Sequence, residues 1–244
     1  VNDYIPITLP SKCLTYKNKD GSPVNPLEVS ARTYQGSDEI YLAQINPLNL
    51  ERYYFQVLKS IIRGIDPSQL TIGDRMYLIL WEYINSYSKT MKIKSVCSHC
   101  FSEIEINVDL SKLETKELPD DYTQPQLITL PVSGEKLNLR LLTVEDEIKT
   151  EDFSKKNKQD ALLFRYARTI VSEMDIVALM NKLSSMKAKD FMTIMNFQEK
   201  YDHGPVLKTT FTCPKEDCGE EDELDIPFQL DFFFPNVAEF GIFS

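Results

Sequence analysis

The sequence predicts an α+β protein built from two similar halves, each a group of helices followed by a β-hairpin. Three observations carry this. The tetrapeptide Ile7-Thr-Leu-Pro10 returns as Ile128-Thr-Leu-Pro131. A gapless shift of 116 positions (190 − 74) lays Asp74 on Asp190 and also carries Cys97 onto Cys213. Each half also closes on two near-neighbour cysteines, Cys97/Cys100 and Cys213/Cys218, set between alternating stretches. Self-similarity at a long period is the mark of a duplicated structural unit.

Within the shifted window Asp74/Asp190, Met76/Met192, Lys92/Lys208 and Cys97/Cys213 are identical, four positions in 24. That is only modestly above chance, and the matching order of the flanking elements strengthens it. Leu78/Ile194, Ile79/Met195 and Trp81/Phe197 keep apolar character and are the expected core of each half. The resulting boundaries are a first repeat over 1–109, a linker over 110–127 and a second repeat over 128–235. An aromatic C-terminal tail over 236–244 completes the chain.

Leu50, Tyr54, Val57, Leu58, Ile61 and Ile62 fall at helical spacing and predict a helix over 48–63, with Gly64 placed to stop it. Thr71, followed three residues on by Asp74, resembles a capping box and starts a second helix over 72–88. In the second half the expected helices cover 160–173, 176–183 and 188–201. The stretch 110–127 carries prolines and charge and reads as connection.

The cysteine pairs carry the chemistry. Residues alternate before and after each pair, as in Ile104-Glu-Ile-Asn-Val and Leu224-Asp-Ile, so each pair sits at the tip of a β-hairpin. Thiolates two to four residues apart on a tight turn can both reach one ion at about 2.3 Å, and two such turns complete a tetrahedron. Cys97, Cys100, Cys213 and Cys218 are therefore the expected ligands of one structural Zn²⁺, and the fold becomes two halves joined by a four-cysteine zinc ribbon. Disulfides and reactive thiols are the alternatives, but two pairs at matching places of a repeat favour zinc over both. With four protein ligands no position stays open for a substrate. The pairs lie 112 residues apart (213 − 100 − 1), which suits an ion that ties two halves rather than one local ribbon. His99 can be read as a replacement ligand, or more plainly as a knuckle residue facing water. Cys13 has no counterpart and reads as a buried, inert thiol.

Composition limits the alternatives. The chain has 244 residues, 27 basic against 37 acidic, and a net charge of −10. Affinity for nucleic acid depends on clustered Lys and Arg, and residues 206–227 hold two Lys against seven Asp or Glu. No apolar run approaches the ~20 residues of a membrane helix, and no secretory pattern opens the chain. Cytosolic synthesis is the expectation. Two histidines, eight glycines and no phosphate-loop or nucleophile-elbow motif leave catalysis little to stand on.

Helices followed by a Cys-x-x-Cys hairpin, an acidic alternating strand and the terminal Phe232-Phe-Phe-Pro235 resemble the T-even-type phage baseplate protein family, which includes baseplate hub assembly proteins of contractile-tailed phages. The likeness lies in 76–109 and 191–235. The second knuckle, and the four residues between Cys213 and Cys218, depart from the simplest pattern and leave open a virion component or an assembly factor. The resemblance implies a non-enzymatic protein of the phage tail baseplate, made in the host cytoplasm and placed in the virion tail. Its partners would be other tail and baseplate proteins, with no nucleic acid, membrane or small-molecule substrate. A zinc-ribbon adaptor of a cellular complex and a Cys/His enzyme are the competing readings. The enzyme would need His99 and His203 together beside a pocket.

Residues 226–244 contain six phenylalanines, Phe228, Phe232, Phe233, Phe234, Phe240 and Phe243, with only Asp231 and Glu239 charged. All six can fold back on the chain's own helices. Alternatively Phe240 and Phe243, beyond Pro235, form the partner-binding site and insert into a neighbouring tail protein.

Overall fold

Short antiparallel strands and mid-length helices alternate through the computed structural model, which describes residues 3–45 and 48–227. In chain order come β1 (Ile5–Pro6), β2 (Ser30–Ala31), α1 (Gly36–Leu42), α2 (Leu50–Ile61), β3 (Ile62–Arg63) and α3 (Ile72–Ser86). A hairpin follows, β4 (Thr90–Val96) and β5 (Glu103–Asp109), and then β6 (Thr115–Lys116). The next stretch holds β7 (Gln126–Thr129), β8 (Lys136–Leu139), α4 (Val144–Ser154), α5 (Ala161–Ala167), β9 (Ile170–Val171), α6 (Ile176–Ser185) and α7 (Ala188–Lys200). β10 (Gly204–Pro205) and a second hairpin, β11 (Lys208–Thr212) with β12 (Glu221–Asp225), complete the described chain. Helices and small antiparallel sheets in this mixture make an α+β fold.

Two compact units result. One combines the chain up to Arg75 with Glu117–His203, and the other combines Met76–Lys116 with the chain from Gly204. The first unit holds two three-stranded sheets in the orders β1-β2-β3 and β7-β8-β9. In one, Ile5 faces Ala31 and Ala31 faces Ile62; in the other, Gln126 faces Leu139 and Leu139 faces Ile170.

The same set of polar contacts surrounds both sheets. Arg32 Nη1 reaches Asp38 Oδ2 at 2.7 Å and Thr33 O at 2.8 Å, with Nη2 to Asp38 Oδ1 at 3.2 Å. Arg140 Nη1 reaches Asp146 Oδ2 at 2.7 Å and Leu141 O at 3.0 Å, with Nη2 to Asp146 Oδ1 at 2.9 Å. Each aspartate sits in the first turn of a helix and closes a capping box, Gln35 with Asp38 and Thr143 with Asp146. The Arg32 N–H donates to Ile61 O at 3.0 Å and the Arg140 N–H to Thr169 O at 2.9 Å. The two recurring Ile-Thr-Leu-Pro segments behave alike as well. After Pro10, the Ser11 N–H donates to Asp74 Oδ1 at 2.8 Å; after Pro131, the Val132 N–H donates to Asp190 Oδ1 at 2.7 Å.

The cores follow the apolar spacing. Tyr54, Val57, Leu58 and Ile61 give α2 its buried face. Ile194 and Phe197 of α7 join Leu130, Leu137, Leu139, Leu179 and Leu183 in one cluster. That cluster also takes Leu118 and Tyr122 from the 110–127 stretch, where the Leu118 N–H donates to Pro10 O at 3.0 Å.

Helix ends differ from the sequence expectation where β-branched residues find a strand partner. Ile62 and Arg63 leave the helix and pair with β2, and Ile170 and Val171 leave the expected 160–173 helix and pair with β8. Helices α1 and α4 lie in stretches without an apolar period. The α4 sequence Val-Glu-Asp-Glu-Ile-Lys-Thr-Glu-Asp-Phe-Ser is mostly charged and is announced only by its Thr143 cap.

In the second unit, β4 and β5 pair from Thr90↔Asp109 to Val96↔Glu103, and β11 and β12 pair from Lys208↔Asp225 to Thr212↔Glu221. Alternation buries Met91, Ile93, Ile104 and Val108 in the first hairpin, and Phe211 and Leu224 in the second. Leu78 and Ile79 of α3 are buried with Leu80 and Tyr83, and Trp81 is half-buried. Among the described residues no helix is long and apolar enough to cross a membrane. The tail residues Phe228, Phe232, Phe233, Phe234, Phe240 and Phe243 lie outside the described residues.

Candidate metal centre

Each cysteine pair occupies the turn of its hairpin, and the two turns are closed in the same way. The Cys97 N–H donates to Ser102 O at 3.1 Å, and the Cys213 N–H donates to Glu220 O at 2.8 Å. The residue after each second cysteine turns left-handed, Phe101 at φ +57° and Gly219 at φ +63°. Its N–H closes the loop, from Phe101 to Cys97 O at 2.9 Å and from Gly219 to Lys215 O at 3.2 Å.

The four sulfurs of Cys97, Cys100, Cys213 and Cys218 all lie within 4.8 Å of one another. Two of these contacts run between hairpins, Cys97 to Cys218 at 3.9 Å and Cys100 to Cys213 at 3.8 Å. A tetrahedron with Zn–S bonds of about 2.3 Å has S···S edges of roughly 3.8 Å, so this spacing fits a four-thiolate ion. A disulfide needs about 2.05 Å, and all five cysteines are free here.

The remaining groups tighten the pairing of the knuckles. The Ser98 N–H donates to Asp222 Oδ2 at 2.7 Å, which holds that carboxyl below its usual range. The His99 Nε2–H donates to Glu221 O at 3.2 Å, so His99 faces the opposite hairpin through its ring and is not a fifth member of the sulfur cluster. The thiols themselves are electrostatically frustrated as a proton-bearing set. Hydrogen bonds from Ser102, through its side chain and backbone, pull Cys100 down to about 6. The Glu220 backbone favours the Cys218 thiolate, yet lost hydration and the three neighbouring thiols push it up to about 12. Four thiolates at this distance would repel one another unless a cation lay between them, and the spacing is compatible with one.

His203 lies in the other compact unit and serves a buried polar knot. Its Nδ1–H donates to Tyr201 O at 2.9 Å, and its Nε2 shares a hydrogen bond with Thr71 Oγ1 at 2.6 Å. Asp74 accepts from the Ser11 N–H and from the hydroxyls of Ser11 and Tyr16. Burial pushes its carboxyl up, against the opposing pull of His203 and these donors. Cys13 lies beside this knot, buried, with its thiol pushed up to about 12 by desolvation and then by Asp74. The structure brings the four expected cysteines together, and the roles of Ser98, Asp222 and the Arg32–Asp38 and Arg140–Asp146 pairs were not expected from the sequence. For the pairs a signal existed, since Arg and Asp recur six apart across the start of each of two helices.

Neither a curated protein nor a solved structure matches the chain. A family model described as T4 bacteriophage base plate protein matches residues 15–234, which takes in both cysteine hairpins and most of both helical stretches. The chain thus belongs to the T4 bacteriophage base plate protein family.

Proposed function

We propose that this chain is a non-enzymatic structural or assembly protein of the baseplate hub region in a contractile phage tail, tied together by one structural zinc ion. The observation that carries the reading is the family match over 15–234. Its partners are other tail and baseplate proteins, and its place is the virion tail or the path that builds it.

The zinc reading rests on the sulfur spacing. Cys97, Cys100, Cys213 and Cys218 are all thiolate donors at the right separation, and full protein ligation is the pattern of a structural site rather than a catalytic one. A bound zinc would neutralise the cluster and contribute its binding free energy to the fold of the second unit.

We further read the halves 1–109 and 128–235 as products of internal duplication, joined through 110–127. The twofold recurrence of the Arg–Asp pair, the capping box and the Pro-turn-to-Asp contact supports this, as does the equal order of both sheets. In this reading each half gives its three-stranded sheet to one compact unit and its hairpin to the other, with most of α3 going with the first hairpin. The tail 236–244 supplies Phe240 and Phe243 as partner anchors.

Deleting the gene from the phage and examining both particles and assembly intermediates tests the function. Arrested baseplates, with the chain found by mass spectrometry either in purified particles or in a hub precursor, are the expected outcome. Normal baseplates without the chain would overturn it. Elemental analysis of freshly purified, reduced protein should give one zinc per chain, and metal-free folded protein would remove the zinc from the reading.

A further inference from the structure

Phe101 is a residue that folding alone does not explain. It turns left-handed directly after Cys100 at the tip of the first hairpin, and 79 % of its surface is exposed. A bulky side chain at positive φ is a conformational outlier. The second knuckle makes the same turn with Gly219, whose lack of Cβ removes the penalty. The first knuckle therefore holds an aromatic ring where glycine would fold more easily and where, among the described residues, the ring stays mostly exposed. Strain kept at a position without a packing role points toward binding.

The surroundings say what kind of partner fits. Val96, at the same end of the hairpin, is 56 % exposed and borders an open groove of about 460 Å³ that Lys94, Glu103 and Glu105 also line. The paired hairpin is acidic, with Glu216, Asp217, Glu220, Glu221 and Glu223 all exposed. Phosphate backbones and anionic membranes would be repelled by this field. A second copy of the chain would bring the same sign of charge to the contact, a juxtaposition that costs affinity. An apolar ring in an acidic rim matches an apolar pocket in a basic rim.

We propose that Phe101, at the same end of the hairpin as the exposed Val96, is an aromatic anchor that inserts into an apolar, basic-rimmed pocket on a different protein of the baseplate. The proposal rests on the baseplate reading above. Aromatic side chains with a polar surround are the usual energetic centre of protein interfaces.

The test places p-benzoylphenylalanine at position 101 of the full chain during infection and maps the photo-cross-link by mass spectrometry. A cross-link to a phage-encoded tail protein, at an apolar site flanked by Lys or Arg, is expected. A cross-link to residues 228–244 of the same chain, to a second copy, or to nothing overturns the proposal. In parallel, Phe101→Gly should keep its metal and melt within about 2 °C of wild type or higher, while infectious yield falls about tenfold or more. Phe101→Trp should restore the yield. A Phe101→Gly chain that melts well below wild type or loses its metal would make Phe101 a folding residue and remove the anchor. The deletion phage separates the two ideas. Normal baseplates in the deletion overturn the parent reading, whereas a deletion rescued equally by wild type and Phe101→Gly overturns the anchor alone.

Discussion

Asp146 accepts from two arginines at once, Arg140 at 2.7 Å and Arg168 at 2.7 Å, while its own side chain is almost fully buried. Burial alone would raise its carboxyl, but Arg140, the Thr143 N–H and Arg168 outweigh that and hold it below the usual carboxylate range. Asp146→Asn should destabilise the protein by about 2–3 kcal/mol in urea unfolding at pH 7, somewhat under the cost of breaking a fully buried pair because both arginines touch solvent. The sign of the pH dependence follows from the lowered pKa. The carboxylate's contribution is complete above the unfolded value and is lost as pH falls through the folded one. The gap between wild type and Asp146→Asn should therefore close in acid, and a gap that persists unchanged at pH 2 would contradict the assignment. Asp74 runs the other way. Its raised carboxyl gives a contribution present below the ordinary carboxylate range and lost as pH rises through the folded value. At this scale the sequence was readable where chemistry announces itself. Cysteine pairs stand out because few other arrangements call for them, whereas an Arg and an Asp six apart look like any surface charges until a strand end and a helix start bring them together.

Hairpins and helices were legible in proportion to their apolar period. Both cysteine hairpins, α2, α3, α6 and α7 show it, and their ends are found to within a few residues. α4 does not, because its polar face is wide, and β3 and β9 are too short for any period to register. The hairpin is also the scale at which the metal reading is tested. Cys213→Ser should weaken zinc binding by more than about 100-fold, beyond what losing an outer-shell partner costs, as read by competition with a chromogenic chelator. The same variant should speed hydrogen exchange through β11 and β12 while the first unit's sheets keep their protection. Gly219 offers a finer probe. Its φ is +63° and an added Cβ would meet nothing within 4 Å, so Gly219→Ala tests backbone conformation without a clash. It should cost about 1 kcal/mol in thermal unfolding, the left-handed penalty of an L-residue. No loss at all would mean the turn can relax.

For the whole molecule, the α+β class and the baseplate family were readable from the order of elements and the cysteine hairpins. The division into two compact units was not. It depends on the chain leaving one unit after Arg75, returning at Glu117 and leaving again after His203, and no local composition marks those crossings. The tail gives the test at this scale. Deleting residues 239–244 should leave zinc content and melting temperature unchanged while blocking incorporation into baseplates, if Phe240 and Phe243 reach a neighbour. A truncated chain that assembles normally, or one that unfolds, would assign these rings to the chain's own core instead. The interleaved sulfurs also set a clock. Cys97 and Cys100 leave the ribosome early, and 112 residues separate Cys100 from Cys213 (213 − 100 − 1). At roughly 5–20 residues per second, roughly 6–22 s pass before the second pair can be offered. A chain terminated before Cys218 lacks part of the tetrad, so under the zinc reading metal capture would report that translation has passed the turn of the second hairpin.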